Sequence, residues 1–224
     1  MILDHDARAE DSTPSFPIPN PIPVFPLPNV VFLPKTYLPL HIFEPRYRQM
    51  VADAAAKGQC VGVALLKEGW EEDYYGNPPV FEVGCVGRLV GIHELADGRY
   101  NILLQGLTRY QICEEFYERS YRQARVALKP RSSEVSLDPA LRSELLRLLG
   151  LYLEKHGHRF SWRGFFEAMV NDEVLVNSLA TYLELTSLEK QLLLEADALT
   201  QRARRFCDLF QLKMYERDGR RGWG

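Results

Sequence analysis

The spacing of apolar and polar positions divides the chain into an extended half and a helical half. Across residues 22–34, Pro23, Pro26, Pro28 and Pro34 punctuate the apolar residues Val24, Phe25, Leu27, Val30, Val31, Phe32 and Leu33. Each proline fixes its own φ, lacks an amide proton and pushes the preceding residue toward extended geometry. The stretch therefore predicts short edge-type strands and turns. The period then changes: Glu44-Pro45 opens a helix, Tyr47, Met50, Val51 and Ala54 recur at i, i+3, i+4 and i+7, and Gly58 stops it. CVGVALL (60–66) is a continuous apolar run, which reads as a strand buried on both faces.

FEVGCVGRLVGIHEL (81–95) and YNILLQGLTRYQICEEF (100–116) flank Asp97-Gly98, a pair with the chemistry of a type I′ hairpin turn. Tyr100, Ile102 and Leu104 alternate onto one face of the return strand, and Gly106 marks a bulge or bend that would let the sheet curl toward a small barrel. A last strand covers 121–128. Beyond a polar connector, Asp138-Pro139 starts a helix with Leu141, Leu145, Leu148, Leu149 and Tyr152 as its stripe. Asn171 or Asp172 caps a second, Thr186 and Glu189 form a capping box for a third, and Thr200 starts a fourth with Ala203, Phe206, Cys207 and Phe210 inward. The expected organisation is a tail over 1–20, a β-rich unit over 21–130, a helical unit over 131–216 and a frayed end over 217–224.

Composition narrows this little. With 46% hydrophobic and 25% charged residues in 224, the chain is an ordinary globular one, large enough to bury about 70% of its unfolded surface. A net charge of −3 provides no general attraction to nucleic acid or anionic lipid. The first residues lack the basic and apolar regions of a signal peptide, and the separated Cys60, Cys85, Cys113 and Cys207 read as buried free thiols, so a cytoplasmic location is expected.

A search for chemistry returns no phosphate loop, no G-x-S-x-G elbow and no metal-binding pattern beyond His156-Gly157-His158, which is too few ligands. No cofactor is expected. The acidic runs Glu71-Glu72-Asp73 and Glu114, Glu115, Glu118 read as solvated faces. So do the basic groups Arg159/Arg163, Arg202/Arg204/Arg205 and Arg217/Arg220/Arg221, with Arg202 and Arg205 placed opposite Cys207.

The order of these blocks resembles a known family. IPVFPLPNVVFLPKTYLPLHIFEPRY (22–47) resembles the opening of the amino-terminal substrate-binding domain of Lon proteases, and IFEPRYR is most like its stand-alone bacterial relatives. EVGCVGRL (82–89), DGRYNILLQGLTRYQI (97–112) and NSLATYLELTSLEKQLLLEADALTQRA (177–203) continue the resemblance. It implies an α+β fold: a PUA-like curled antiparallel barrel followed by a helical bundle, without ATPase or peptidase modules. It also implies a non-catalytic binding role toward unfolded or client proteins, with a separate protease or chaperone as partner. An RNA-reading PUA-like barrel and a small-ligand or enzyme cleft are the alternatives.

The chain's own pattern suggests one place for contact. KEGWEEDYYGNPP (67–79) carries Trp70, Tyr74 and Tyr75 among acidic residues with no helical or strand period. These rings either fold back as a lid on the barrel or stand partly exposed and contact a client, as large amphipathic rings do at interfaces. Glu71, Glu72 and Asp73 would then favour basic partners.

Overall fold

The computed structural model describes residues 16–129, 136–155 and 171–219. The expectations placed on 1–15, on the 131–135 connector, on His156 and His158, on Arg159 and Arg163, and on Arg220 and Arg221 fall outside those residues. In chain order the elements are β1 (Ile22–Leu27), β2 (Tyr37–Ile42), α1 (Pro45–Ala56), β3 (Cys60–Leu65), β4 (Val83–Glu94), β5 (Tyr100–Phe116), β6 (Gln123–Leu128), α2 (Pro139–Lys155), α3 (Asp172–Tyr182), α4 (Ser187–Glu195) and α5 (Leu199–Gly219). The class is α+β.

The strands are ordered β2-β5-β4-β3-β1-β6, and β5 also pairs with β6. At 17 residues, β5 is long enough to pair with β2 over its first half and with β6 over its second, with β4 alongside. The ring closes unevenly, since β1 and β6 share only the pairs Ile22↔Ala124 and Pro23↔Gln123. It also departs from the antiparallel expectation: β1 and β3 run parallel, from Val24↔Gly62 to Leu27↔Leu65. The cause is the connection between them, because β2 and α1 form a crossover long enough to return the chain to the end from which β1 started.

Gly106 provides the bend. Register slips between Val86↔Thr108 and Gly87↔Gly106, and a Cβ on Gly106 would stand 2.2 Å from the Leu33 carbonyl oxygen. The absent side chain lets the segment before β2 lie on the strand, where Lys35 N donates to Gly106 O and Gly106 N donates to Thr36 O. The β4–β5 turn is tight but is not type I′, which requires positive φ at both central residues. Gly98 has φ 76, whereas Asp97 is not among the positive-φ residues. Gly98 N donates to Leu95 O and Leu95 N to Arg99 O, giving a longer loop with one left-handed glycine. Asp97 Oδ1 accepts from Arg99 N instead.

One apolar cluster runs from the barrel into the helices, joining Val63, Cys85 and Leu104 to Leu145, Leu175 and Phe206. A smaller one, around Ile22, Val86 and the fully buried Tyr110, fills the other side of the sheet. The expected stripe of α1 is buried, as are the inward residues expected on α5. Asp138 caps α2, Asn171 caps α3, and Thr186 with Glu189 forms the capping box of α4. Buried polar ties cross between the halves, among them Gln191 Nε2 donating to Val83 O at 3.0 Å and Asn177 Nδ2 donating to Pro34 O at 2.9 Å.

Two surface assignments are corrected. Arg202 is 3% exposed and donates to Leu193 O, Ala196 O and Asn177 Oδ1, because the end of α4 leaves carbonyls that need donors. Cys113 is exposed, since it lies in the second half of β5 beyond the packed part of the barrel; Cys60, Cys85 and Cys207 are buried, and all four are free thiols. In the segment expected as a tail, Asn20 pairs with the backbone of Val126 in both directions and Phe16 lies under Arg88, 4.3 Å from ring centroid to guanidinium carbon.

Candidate functional site

Residues 67–79 join β3 to β4 with their ends pinned together, by Lys67 N donating to Pro79 O at 2.8 Å and by the bridge Leu66↔Val80. Such a loop is held by its own contacts rather than by a sheet. It contains a regular element after all, one 3-10 turn over Trp70–Asp73, entered through Gly69 at φ 83. Asp73 closes the loop: its carbonyl accepts from Gly76 N and its Oδ2 from Asn77 N.

The structure brings Trp70, Tyr74 and Tyr75 together in a row. Trp70 and Tyr74 have ring centroids 5.4 Å apart and Tyr74 and Tyr75 5.1 Å apart, both edge-to-face. Burial falls along the row. Trp70 is half-buried against the smaller apolar cluster, Tyr74 is half-buried, and Tyr75 is 86% exposed. Part of the row therefore leans on the barrel, and its far end stands in solvent.

Sequence reasoning missed what holds this row. Tyr74 Oη donates to Glu44 Oε1 at 2.5 Å, and Arg46 Nη2 donates to the Tyr74 carbonyl at 3.1 Å. Arg46 Nε donates to Glu44 Oε2 at 3.0 Å, so the pair is itself braced. The Arg46 guanidinium carbon lies 4.6, 5.1 and 5.8 Å from the ring centroids of Tyr47, Tyr74 and Tyr75. Burial and the Glu44 carboxylate push the Tyr74 phenol up, keeping its proton on the oxygen that donates. The Glu-Pro-Arg-Tyr start of α1 thus serves two ends, opening the helix and seating a loop thirty residues away.

Beside Tyr75 a cavity of about 190 Å³ opens between the loop, the first turn of α1 and the β5–β6 connection. Among the described residues, no group of three or more His, Cys, Asp or Glu is placed to hold a metal, and no helix is long and apolar enough to cross a membrane.

With this geometry in view, residues 21–211 match the family model described as the ATP-dependent protease La (LON) substrate-binding domain. The chain belongs to that family. Among Lon proteins it is 26% identical over 206 residues to Lon protease 2 of Myxococcus xanthus, covering 88% of this chain and 24% of that protein. It is 34% identical over 116 residues to the Lon protease of Anaeromyxobacter dehalogenans, covering 51% of this chain and 14% of that protein. The chain thus spans a quarter or less of the length of these relatives. Two solved Lon domains share the fold. The Lon N-terminal domain protein from Xanthomonas campestris superposes with a TM-score of 0.61 at 22% identity, over 82% of this chain and 95% of that one. The N-terminal domain of the Mycobacterium avium complex Lon protease does so with 0.65 at 19%, over 85% and 97%.

Proposed function

We propose that this chain is a non-catalytic polypeptide-binding module that presents unfolded client proteins to a separate protease or chaperone, with Trp70, Tyr74 and Tyr75 as the contact row. The observation that carries the reading is the Tyr75 ring, 86% exposed yet attached to a row seated by Glu44 and Arg46. A large ring already held in place supplies contact area at low ordering cost. The Lon substrate-binding family supports a role in recognition, and the sequence carries no phosphate loop or nucleophile elbow. An RNA-reading role draws less support, because Arg99, Arg125 and Arg147 each face a carboxylate, Asp97, Glu114 and Glu144.

The test is binding of a fluorescent, unfolded casein probe, followed by anisotropy, to the wild type, to Tyr75→Ser and to the combined change of Trp70, Tyr74 and Tyr75 to serine. About a tenfold loss of affinity in Tyr75→Ser, at unchanged melting temperature, supports the reading. Unchanged affinity in both variants overturns it.

A further inference from the structure

We propose that the cavity beside Tyr75 takes a single carboxylate carried by a bound polypeptide, either its terminal carboxylate or an aspartate or glutamate side chain. This deepens the client-binding reading and rests on it. Three arginines line the cavity, Arg46 from α1 and Arg119 and Arg122 from the β5–β6 connection, and no carboxylate does. Its volume, about 190 Å³, is room for the end of one residue and not for a folded element.

Arg122 carries the argument. It is 5% exposed, and its Nη2 donates to Pro78 O at 2.6 Å. Its Nη1 lies 3.3 Å from Glu115 Oε1, close enough for charge attraction, but out of line for a hydrogen bond, so this buried N–H has no acceptor. Glu115 Oε2 is itself engaged by the Tyr117 hydroxyl. A buried cationic donor left without an acceptor is costly; Nη1 is closed to solvent as the protein stands, so an entering carboxylate oxygen would satisfy it after a small turn of the guanidinium toward the cavity that Arg122 lines.

The surrounding charges select for one negative charge. Behind the lining, Glu44 pairs with Arg46 at 3.0 Å and Asp53 with Arg119 at 3.5 Å, as Glu115 does with Arg122, so most of the positive charge is already offset. What remains is a set of directed donors rather than a large unopposed field, which suits a monoanion better than a dianionic phosphate. Tyr47, Tyr75, Tyr117 and Tyr121 provide aromatic walls. Burial pushes the Tyr47 phenol up to about 12 and the Tyr121 phenol also to about 12, the latter aided by its bond to Asp53, so both stay neutral beside an anion. A chain lying across the Tyr74–Tyr75 edge would lower its acid into this opening.

Three labelled decapeptides of one aromatic-containing sequence separate the cases: one whose single carboxylate is its free terminus, one amidated with a single internal glutamate, and one with every carboxyl as an amide. Either acid peptide should bind the wild type about tenfold more tightly than the all-amide one, and which does so identifies the source of the carboxylate. Arg119→Glu, at a half-exposed rim position, should erase that ratio, whereas Trp70→Ser, in the row but outside the cavity lining, should weaken all three peptides alike. Equal affinities for acid and amide peptides overturn the carboxylate site while leaving the aromatic row intact. If no peptide binds, the client reading fails, and a titration with acetate at constant ionic strength, followed through the arginine Nε–H resonances, decides the cavity alone. A saturating shift lost in Arg119→Glu upholds it; a non-saturating shift, or tighter binding of inorganic phosphate, overturns it.

Discussion

Arg109 Nη1, on β5, donates to the carbonyl oxygen of Leu194 at 3.1 Å, so a barrel strand caps the end of a helix in the other half of the molecule. Its Nη2 reaches Asp197 O at 3.0 Å, while Arg202 serves Leu193 O and Ala196 O and Arg205 serves Leu192 O. Three guanidiniums thereby serve the carbonyls of Leu192, Leu193 and Leu194 at the end of α4, where its dipole is negative. Arg109→Met should lower stability by about 3 kcal/mol, since bonds to a buried charged donor are lost and the carbonyls stay buried. Arg205, nearer solvent, should cost less than about 1 kcal/mol as alanine. Urea midpoints measure both, and equal small losses would show that apolar packing alone holds α4.

Gly98 and Gly106 should respond differently to alanine. At Gly98 the added Cβ meets the mobile Arg48 Nη2, so the cost is the left-handed backbone, about 1–2 kcal/mol. At Gly106 it meets the Leu33 carbonyl oxygen, which the paired hydrogen bonds of Lys35 and Thr36 prevent from retreating. Gly106→Ala should cost about 3 kcal/mol or more. Thermal melts giving the reverse order would mean that the 33–36 segment yields freely.

Cutting the chain after residue 137 should leave an uncooperative β fragment. The larger cluster joins Val63 and Leu104 to Leu145, Leu175 and Phe206, and each such side chain contributes about 1.5–3 kcal/mol by burial. The fragment 21–137 should bind a hydrophobic dye and melt broadly. A sharp calorimetric transition in this fragment would show an independent barrel.

These outcomes also separate what the sequence makes legible from what it hides. The α1 stripe and the Thr186–Glu189 capping box are local patterns, and both appear where the spacing puts them. The parallel β1–β3 pairing leaves no local trace, because the prolines of β1 blur its period. Arg202 was readable in principle: it follows Leu199 by three residues and precedes Phe206 by four, which is the buried face, but its charge outweighed its position. Asp172 behaves likewise, buried and accepting from Leu137 N and Arg142 Nε. At the candidate site the aromatic cluster is visible as rings without a period. Its seat on Glu44 and Arg46 is not, since the contact spans thirty residues.

Alkaline pH should destabilise the protein from about pH 9 upward. Burial raises Cys60 and Cys207 from 9.0 to about 11, and Tyr47 and Tyr121 from 10.0 to about 12, with a bond to Asp53 adding to the last. Between the ordinary and raised values the unfolded chain has lost protons that the folded chain keeps, so stability falls as pH rises through that window. Below about pH 8 these groups are almost wholly protonated in both states and contribute little slope. Urea midpoints from pH 8 to 11 test this; a flat profile would show that the four groups titrate in the fold as they do in water.

The Glu44–Tyr74 bond should matter for the loop far more than for the fold. Tyr74→Phe keeps the ring and its edge contacts with Trp70 and Tyr75, and Glu44 keeps its bond from Arg46, so the global melting temperature should move little. The loop loses one charge-assisted anchor, worth about 1–2 kcal/mol locally, and should open more often. Amide exchange across residues 67–79 should accelerate by about tenfold while exchange in β4 and β5 stays unchanged. Client affinity should fall with it, because the row must then be ordered at the moment of binding. Unchanged exchange in the loop would mean that Arg46, through its bond to the Tyr74 carbonyl and its position against the rings, holds the row without the phenol.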